Sequence, residues 1–107
     1  VVSNHGGRVL DHTVGTADAL FDVVDAVKGK TTIIADGGIR TGYDVLKMLA
    51  IGADSVLFGR DIVRAAVGGG AEGVEAFFEL QQKTLVKAMK MTGAATLADI
   101  SRDIIYR

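Results

Sequence analysis

The chain has no cysteine, which excludes disulfides and thiolate metal sites. No metal site is expected. It also has no proline, against 14 glycines. Its 12 basic residues nearly balance 13 acidic ones, for a formal net charge of -1. That balance gives no electrostatic reason to expect nucleic acid or an anionic membrane as a partner. No apolar run is long enough to span a bilayer, and no signal peptide is visible. A soluble, cytoplasmic protein is the expectation. An initiator methionine is missing too: the chain opens on Val1-Val2-Ser3-Asn4-His5. Such a start reads as the inside of a strand, and the expectation is a piece of a longer protein.

What is present is globular material. Hydrophobic residues make up 49% and charged residues 23% of 107 positions, enough for one modest domain. Val1 to Ser3 read as the end of a strand. Thr16 is a candidate helix cap ahead of Ala17, Leu20, Phe21, Val24 and Val27, which recur at helical spacing. Lys28 falls in the last turn and Gly29 just past it. Thr31 to Ala35 is a short β-branched run stopped by glycine, the mark of a buried strand. Thr41 and Asp44 resemble a capping box before Val45, Leu46 and Leu49, and Gly52 ends that helix. Ser55 to Phe58 reads as a third strand. Asp61 to Val67 reads as a short helix broken by Gly68-Gly69-Gly70.

A longer helix is expected over 71–92, with Val74, Phe77, Phe78, Leu85, Ala88 and Met89 buried and Gln81 interrupting the stripe. Lys83, Lys87 and Lys90 read as its wet face. Met48, Met89 and Met91 read as core filler. Thr96 caps a final turn through Ile100. Residues 101–107 carry no clear signal. The alternation of strand, loop and helix, three times over, argues for a parallel α/β sheet.

Two strands end alike. Ile33 to Ala35 leads into Asp36-Gly37-Gly38-Ile39-Arg40, and Leu57-Phe58 leads into Gly59-Arg60. Glycine lets the backbone turn sharply and approach a ligand closely. Arginine and free N–H groups at a helix start suit an anion. Parallel neighbours bring both arginines to the carboxyl ends of the strands, where such folds bind ligands. A phosphate site is the expectation there, with Asp36 beside the anion and facing hydroxyl groups. A surface ion pair is the plainer account of either arginine alone. His5-Gly6-Gly7-Arg8 follows the first strand. Histidine moves protons near neutral pH, and arginine holds a carboxylate through two parallel bonds. Spacing leaves two accounts open: a solvated loop, or a base beside a carboxylate clamp. His12 is given no role.

Ser3-Asn4-His5-Gly6-Gly7-Arg8 with Leu10-Asp11 resembles the signature of the FMN-dependent α-hydroxy acid oxidases and dehydrogenases. Asp36-Gly37-Gly38-Ile39-Arg40-Thr41-Gly42, Asp44-Val45-Leu46-Lys47, Gly52-Ala53-Asp54 and Gly59-Arg60 continue the resemblance in order. The family fold is a (β/α)₈ TIM barrel, of about 250 residues when complete. The resemblance therefore implies that 1–107 is the C-terminal part of such a domain, its last three βα units, incomplete in this chain. It implies FMN as cofactor and oxidation of an L-2-hydroxy acid to a 2-oxo acid in the full-length parent, the fragment alone being inactive. By the same resemblance, His5 is the catalytic base and Arg8 the substrate-carboxylate ligand. Ser3, Asp36, Gly37, Gly38, Arg40, Gly59 and Arg60 are cofactor-binding.

Two positions depart from the family pattern. Val9 stands where glutamine is frequent, and Asp61 replaces the proline that often follows Gly-Arg. The implied partners are a small 2-hydroxy acid, the missing N-terminal barrel half and further copies in a homo-oligomer. Inosine monophosphate dehydrogenases carry a similar Asp-Gly-Gly-Ile-Arg segment and are the alternative enzyme reading. A non-catalytic, self-associating α/β fragment is the alternative outside enzymes.

Overall fold

A computed structural model describes residues 1–27 and 29–106. Strand β1 (Ile34–Ala35) pairs in parallel with β2 (Ser55–Val56), Ile34 opposite Ser55 and Ala35 opposite Val56. On its other side Ala35 forms a parallel bridge with Val2. The Val2 N–H donates to the Ile34 carbonyl and the Asp36 N–H to that of Val2, each at 2.8 Å. Three parallel segments thus lie side by side with β1 in the middle. Their carboxyl ends, at Ser3, Asp36 and Leu57, open on one rim.

The strands are shorter than the apolar runs that announce them. The Ile33 N–H donates to Asp54 Oδ2 at 2.7 Å, so a side chain takes the donor that would have extended the ladder. At the other end Gly37 turns the chain away with φ 107°. The core is built from Leu20, Val24, Ile33, Ala35, Ile39, Val45, Met48, Ile51 and Ala53.

Helix α1 (Thr16–Val27) starts a residue earlier than expected: the Ala19 N–H donates to the Gly15 carbonyl at 3.0 Å. Thr16 is therefore inside the first turn and does not cap it. It is buried, and its Oγ1 has no hydrogen-bond partner. Ala17 is exposed. The expected place of Lys28 in the last turn lies outside the described residues. Helix α2 (Gly42–Ile51) carries the anticipated capping box between Thr41 and Asp44 and ends at Gly52, φ 126°.

Helix α3 (Arg60–Thr92) consists of two helical arms that meet at Gly70, φ 56° and ψ -142°. The break expected across three glycines is taken by one of them. The second arm packs against α2 through Gly42, where a β-carbon would meet the backbone of Gln81 and Leu85 and lie 2.5 Å from Thr84 Oγ1. That hydroxyl accepts the Gly42 N–H at 3.0 Å and donates to the Gln81 carbonyl. This contact sets the rotation of the arm. Gln81 and Ala88 are buried, whereas Phe78 and Met91 are exposed, which corrects the sequence reading of that stripe. Gln81 Oε1 is left without a partner. Phe58, two residues past β2, meets Phe77 edge to face at 5.2 Å, a geometry aromatic pairs favour.

The tail has an anchor that the sequence did not reveal. Arg102 donates from Nε to the Ile51 carbonyl at 2.9 Å, pairs with Asp25 at 2.8 Å and lies over the Phe21 ring. Among the described residues, no helix is long and apolar enough to cross a membrane.

Candidate functional site

Each strand tip runs into a loop whose backbone only a few residues accept. After the first segment, His5, Gly6 and Gly7 all have positive φ, 53°, 64° and 70°. Histidine is strained in that region, and such strain persists only where the surroundings hold it. Here the His5 N–H donates to Ser3 Oγ and the Gly6 N–H to Asn4 Oδ1, each at 3.0 Å. The Ser3 hydroxyl in turn donates to Asp36 Oδ2 at 2.6 Å. One serine thus ties the first loop to the tip of β1.

After β1, Gly37 and Gly38 take φ 107° and 75°. Neither of their N–H groups is bonded within the described residues. Asp44 Oδ2 accepts the N–H groups of Arg40 and Thr41 at 3.1 and 3.0 Å. The two N–H groups ahead of α2 are thereby taken, while the Arg40 side chain stays exposed. After β2, Gly59 precedes α3 without any side-chain cap, so among the described residues no side chain takes the leading N–H groups of that helix. The Arg60 guanidinium reaches back across the rim: a β-carbon at Gly6 would lie 3.1 Å from its Nη2.

These loops enclose a cavity of about 480 Å³. His5, Arg8, Asp36, Gly37, Gly38, Arg40, Gly59 and Arg60 all line it. Ser3 does not; it sits behind, against an adjoining hollow, with its hydroxyl turned to Asp36. Among the described residues, Arg8, Arg40 and Arg60 have no ion-pair partner, so the surface-pair account of the arginines does not apply. A larger hollow of about 610 Å³ lies at the opposite end of the strands, lined by Lys30, Thr32 and Asp54 among others. Its arginine, Arg102, is already paired with Asp25, and no glycine-arginine turn faces it.

Two charged lining residues were missed from sequence, Asp61 as a wall of the cavity and Arg64 altogether. Arg64 stands four residues after Arg60 on α3, and that spacing alone puts both on one helix face. The walls now carry four arginines, Arg8, Arg40, Arg60 and Arg64, against Asp36 and Asp61. The surplus is two positive charges, with free N–H donors beside them. Ile39, Leu57 and Val63 supply apolar wall. Such a lining suits an anionic ligand, such as a phosphate ester, with an apolar part, held next to an imidazole.

A family model for FMN-dependent dehydrogenases matches residues 1–107. The chain is 52% identical over 107 residues to an L-lactate dehydrogenase of Vibrio parahaemolyticus, covering 100% of this chain and 28% of that protein. It is 54% identical over 103 residues to one of Yersinia pestis, covering 96% and 27%. A crystal structure of mandelate oxidase with benzoyl-formic acid superposes with a TM-score of 0.89 at 42% identity, over 94% of this chain and 30% of that one. The chain thus spans less than a third of the length of each of these relatives. The match runs through the His5 loop, both glycine-arginine turns and the helices between them, and on that ground the chain belongs to the FMN-dependent dehydrogenase family.

Proposed function

We propose that this chain supplies the phosphate-binding and proton-accepting side of an enzyme that oxidises an L-2-hydroxy acid to a 2-oxo acid with FMN. The observation that carries the reading is the convergence of His5 and Arg8 with Arg40 and Arg60 on one cavity. The residues fit the cofactor on their own chemistry. Among the described residues, Gly37 and Gly38 offer unbonded N–H groups, α3 offers an N-terminus without a side-chain cap, and Arg40 and Arg60 have no ion-pair partner. Bound there, FMN supplies the two-electron acceptor that no protein side chain provides.

The chain's own residues do the rest. Arg8 holds the substrate carboxylate through paired hydrogen bonds. His5 accepts the proton released as the C–OH becomes C=O. Ser3 accepts from the His5 N–H and donates to the Asp36 carboxylate, so the backbone that carries the imidazole is tied to the tip of β1. Asp36 presents its remaining acceptor capacity to hydroxyl groups of the cofactor's polyol chain.

On this reading the three parallel segments are the last βα units of a (β/α)₈ barrel, 1–107 being its C-terminal part. The uncovered apolar residues of the chain, Val63, Phe78 and Leu80 among them, support further structure packing here. The partners are then a small 2-hydroxy acid, the remaining barrel units and other copies of the same protein, in the cytoplasm. The fragment by itself does not turn over, because it holds one wall of the site.

The test is anaerobic mixing of the full-length FMN protein with L-lactate, L-mandelate or glycolate. Bleaching of the flavin absorbance is expected with at least one acid. His5→Gln should retain flavin and lower the bleaching rate by about 10²–10⁴, the usual contribution of a general base. A protein that binds FMN but bleaches with none of the acids, or equally fast without His5, overturns the assignment.

A further inference from the structure

The N-terminus of α3 contains a charge that is wrong for an anion site. Asp61 follows Arg60 directly and lines the same cavity. A carboxylate in the first turn of a helix competes with a bound anion for the same free N–H groups and the same positive helix end. It also repels a phosphate by Coulomb's law. One residue answers it. Arg64 Nη1 donates to Asp61 Oδ1 at 2.6 Å, a short, charge-assisted contact. The pair is asymmetric: the Asp61 side chain is 21% exposed and that of Arg64 74%. Both line the cavity with Arg60, Asp61 being the more buried of the two.

We propose that Arg64 sets the site's preference for a phosphorylated ligand by neutralising Asp61, as a positioning residue that itself need not touch the phosphate. The proposal rests on the phosphate-site reading above and deepens it. With the ion pair formed, the surplus positive charge of the cavity comes from Arg8, Arg40 and Arg60 against Asp36. Without Arg64, Asp61 stands uncompensated one residue from the phosphate cradle and the surplus falls by one. Without the Asp61 charge, Arg64 is released and the surplus rises by one. A role in helix stability alone predicts something different. An exposed pair three residues apart on a helix stabilises little, and its loss would affect every ligand alike.

The experiment compares FMN with riboflavin, which lacks the phosphate. Dissociation constants are read from flavin fluorescence on the protein expressed from its complete reading frame and stripped of flavin. Unsubstituted protein should bind FMN far more tightly than riboflavin; equal affinities would overturn the phosphate-site reading itself, before any variant is made.

Given that preference, Arg64→Ala should weaken FMN about fivefold at low salt and leave riboflavin unchanged. Asp61→Asn should tighten FMN by a similar factor. In the double variant the FMN affinity should return close to that of the unsubstituted protein, because the lost cation and the lost carboxylate cancel. Arg64→Lys should keep most of the affinity, and the effects should shrink as salt rises. The proposal is overturned if Arg64→Ala weakens both flavins equally. It is also overturned if the double variant binds FMN as weakly as Arg64→Ala alone, which would make Arg64 a direct phosphate ligand.

Discussion

A methyl group added at Gly37 tests the construction of the site more sharply than removal of any charged residue. Gly37 has φ 107°, outside the small left-handed region that other residues tolerate. An alanine β-carbon there would also lie 2.8 Å from Thr16 Oγ1 and 3.0 Å from Asn4 Oδ1. Both neighbours are held: Thr16 is buried in the first turn of α1, and Asn4 Oδ1 already accepts the Gly6 N–H. Backbone strain of about 1–3 kcal/mol and overpacking of about 1–3 kcal/mol oppose a gain of about 0.4–1 kcal/mol from a stiffer unfolded chain. Gly37→Ala should therefore destabilise by about 3 kcal/mol.

Gly38 is the control. Its φ is 75° and nothing lies within 4 Å of an added β-carbon, so Gly38→Ala should cost only about 1 kcal/mol. Thr16→Ala should recover about 1 kcal/mol in the Gly37→Ala background, since it removes the nearer clashing atom. It should be nearly neutral alone, because Thr16 Oγ1 has no partner to lose. The assay is urea unfolding of the four variants at constant m-value. Equal losses at the two glycines, or no recovery on removing Thr16 Oγ1, would refute the argument that Gly37 is glycine for lack of room.

Three further outcomes are expected. Ser3→Ala deprives the His5 N–H of its acceptor and Asp36 of its donor; kcat for the hydroxy acid should fall about tenfold with FMN retained, as for loss of a charged hydrogen bond of about 1.5 kcal/mol, and an unchanged kcat in stopped-flow reduction would count against the relay. Gly42→Ala pushes α2 off the second arm of α3 and should lower stability by about 1–3 kcal/mol, read as a fall in the urea midpoint; an unchanged midpoint would mean the helices do not touch as described. Finally, the Thr96 N–H and hydroxyl hold the Asp99 carboxyl below the ordinary carboxylate value of 3.8. The folded tail binds that proton less tightly than the unfolded chain, so the Leu97–Asp99 turn keeps this stabilisation above pH 3.8 and loses it as pH falls further; amide exchange of residues 97–100 that is flat from pH 5 to about pH 3, after correction for intrinsic rates, would contradict it.

Local chemistry was legible from residue order alone. The capping box at Thr41 and Asp44, the stop at Gly52 and the turn at Asp36-Gly37-Gly38 each depend on neighbours a few residues apart. The β-branched run ahead of Asp36 and the repeat of glycine and arginine after the next strand likewise required no knowledge of the fold. Because all three strands run the same way, knowing that they were parallel was enough to put His5, Arg8, Arg40 and Arg60 on one rim.

What depended on distance in space stayed hidden. Gln81 reads as a polar flaw in an apolar stripe, yet it is buried because Gly42 lets α2 approach at that turn. Phe78 has the right spacing for the core and is exposed, because a helical period does not by itself fix which way the helix is turned. Ser3 donates to a carboxylate 33 residues away, and Arg102 pins a carbonyl 51 residues away. Sequence periodicity carries the geometry of one helix or one turn. The rotation of α3 against α2, the Ser3–Asp36 tie and the Asp61–Arg64 wall of the cavity arise only once those pieces are packed against each other.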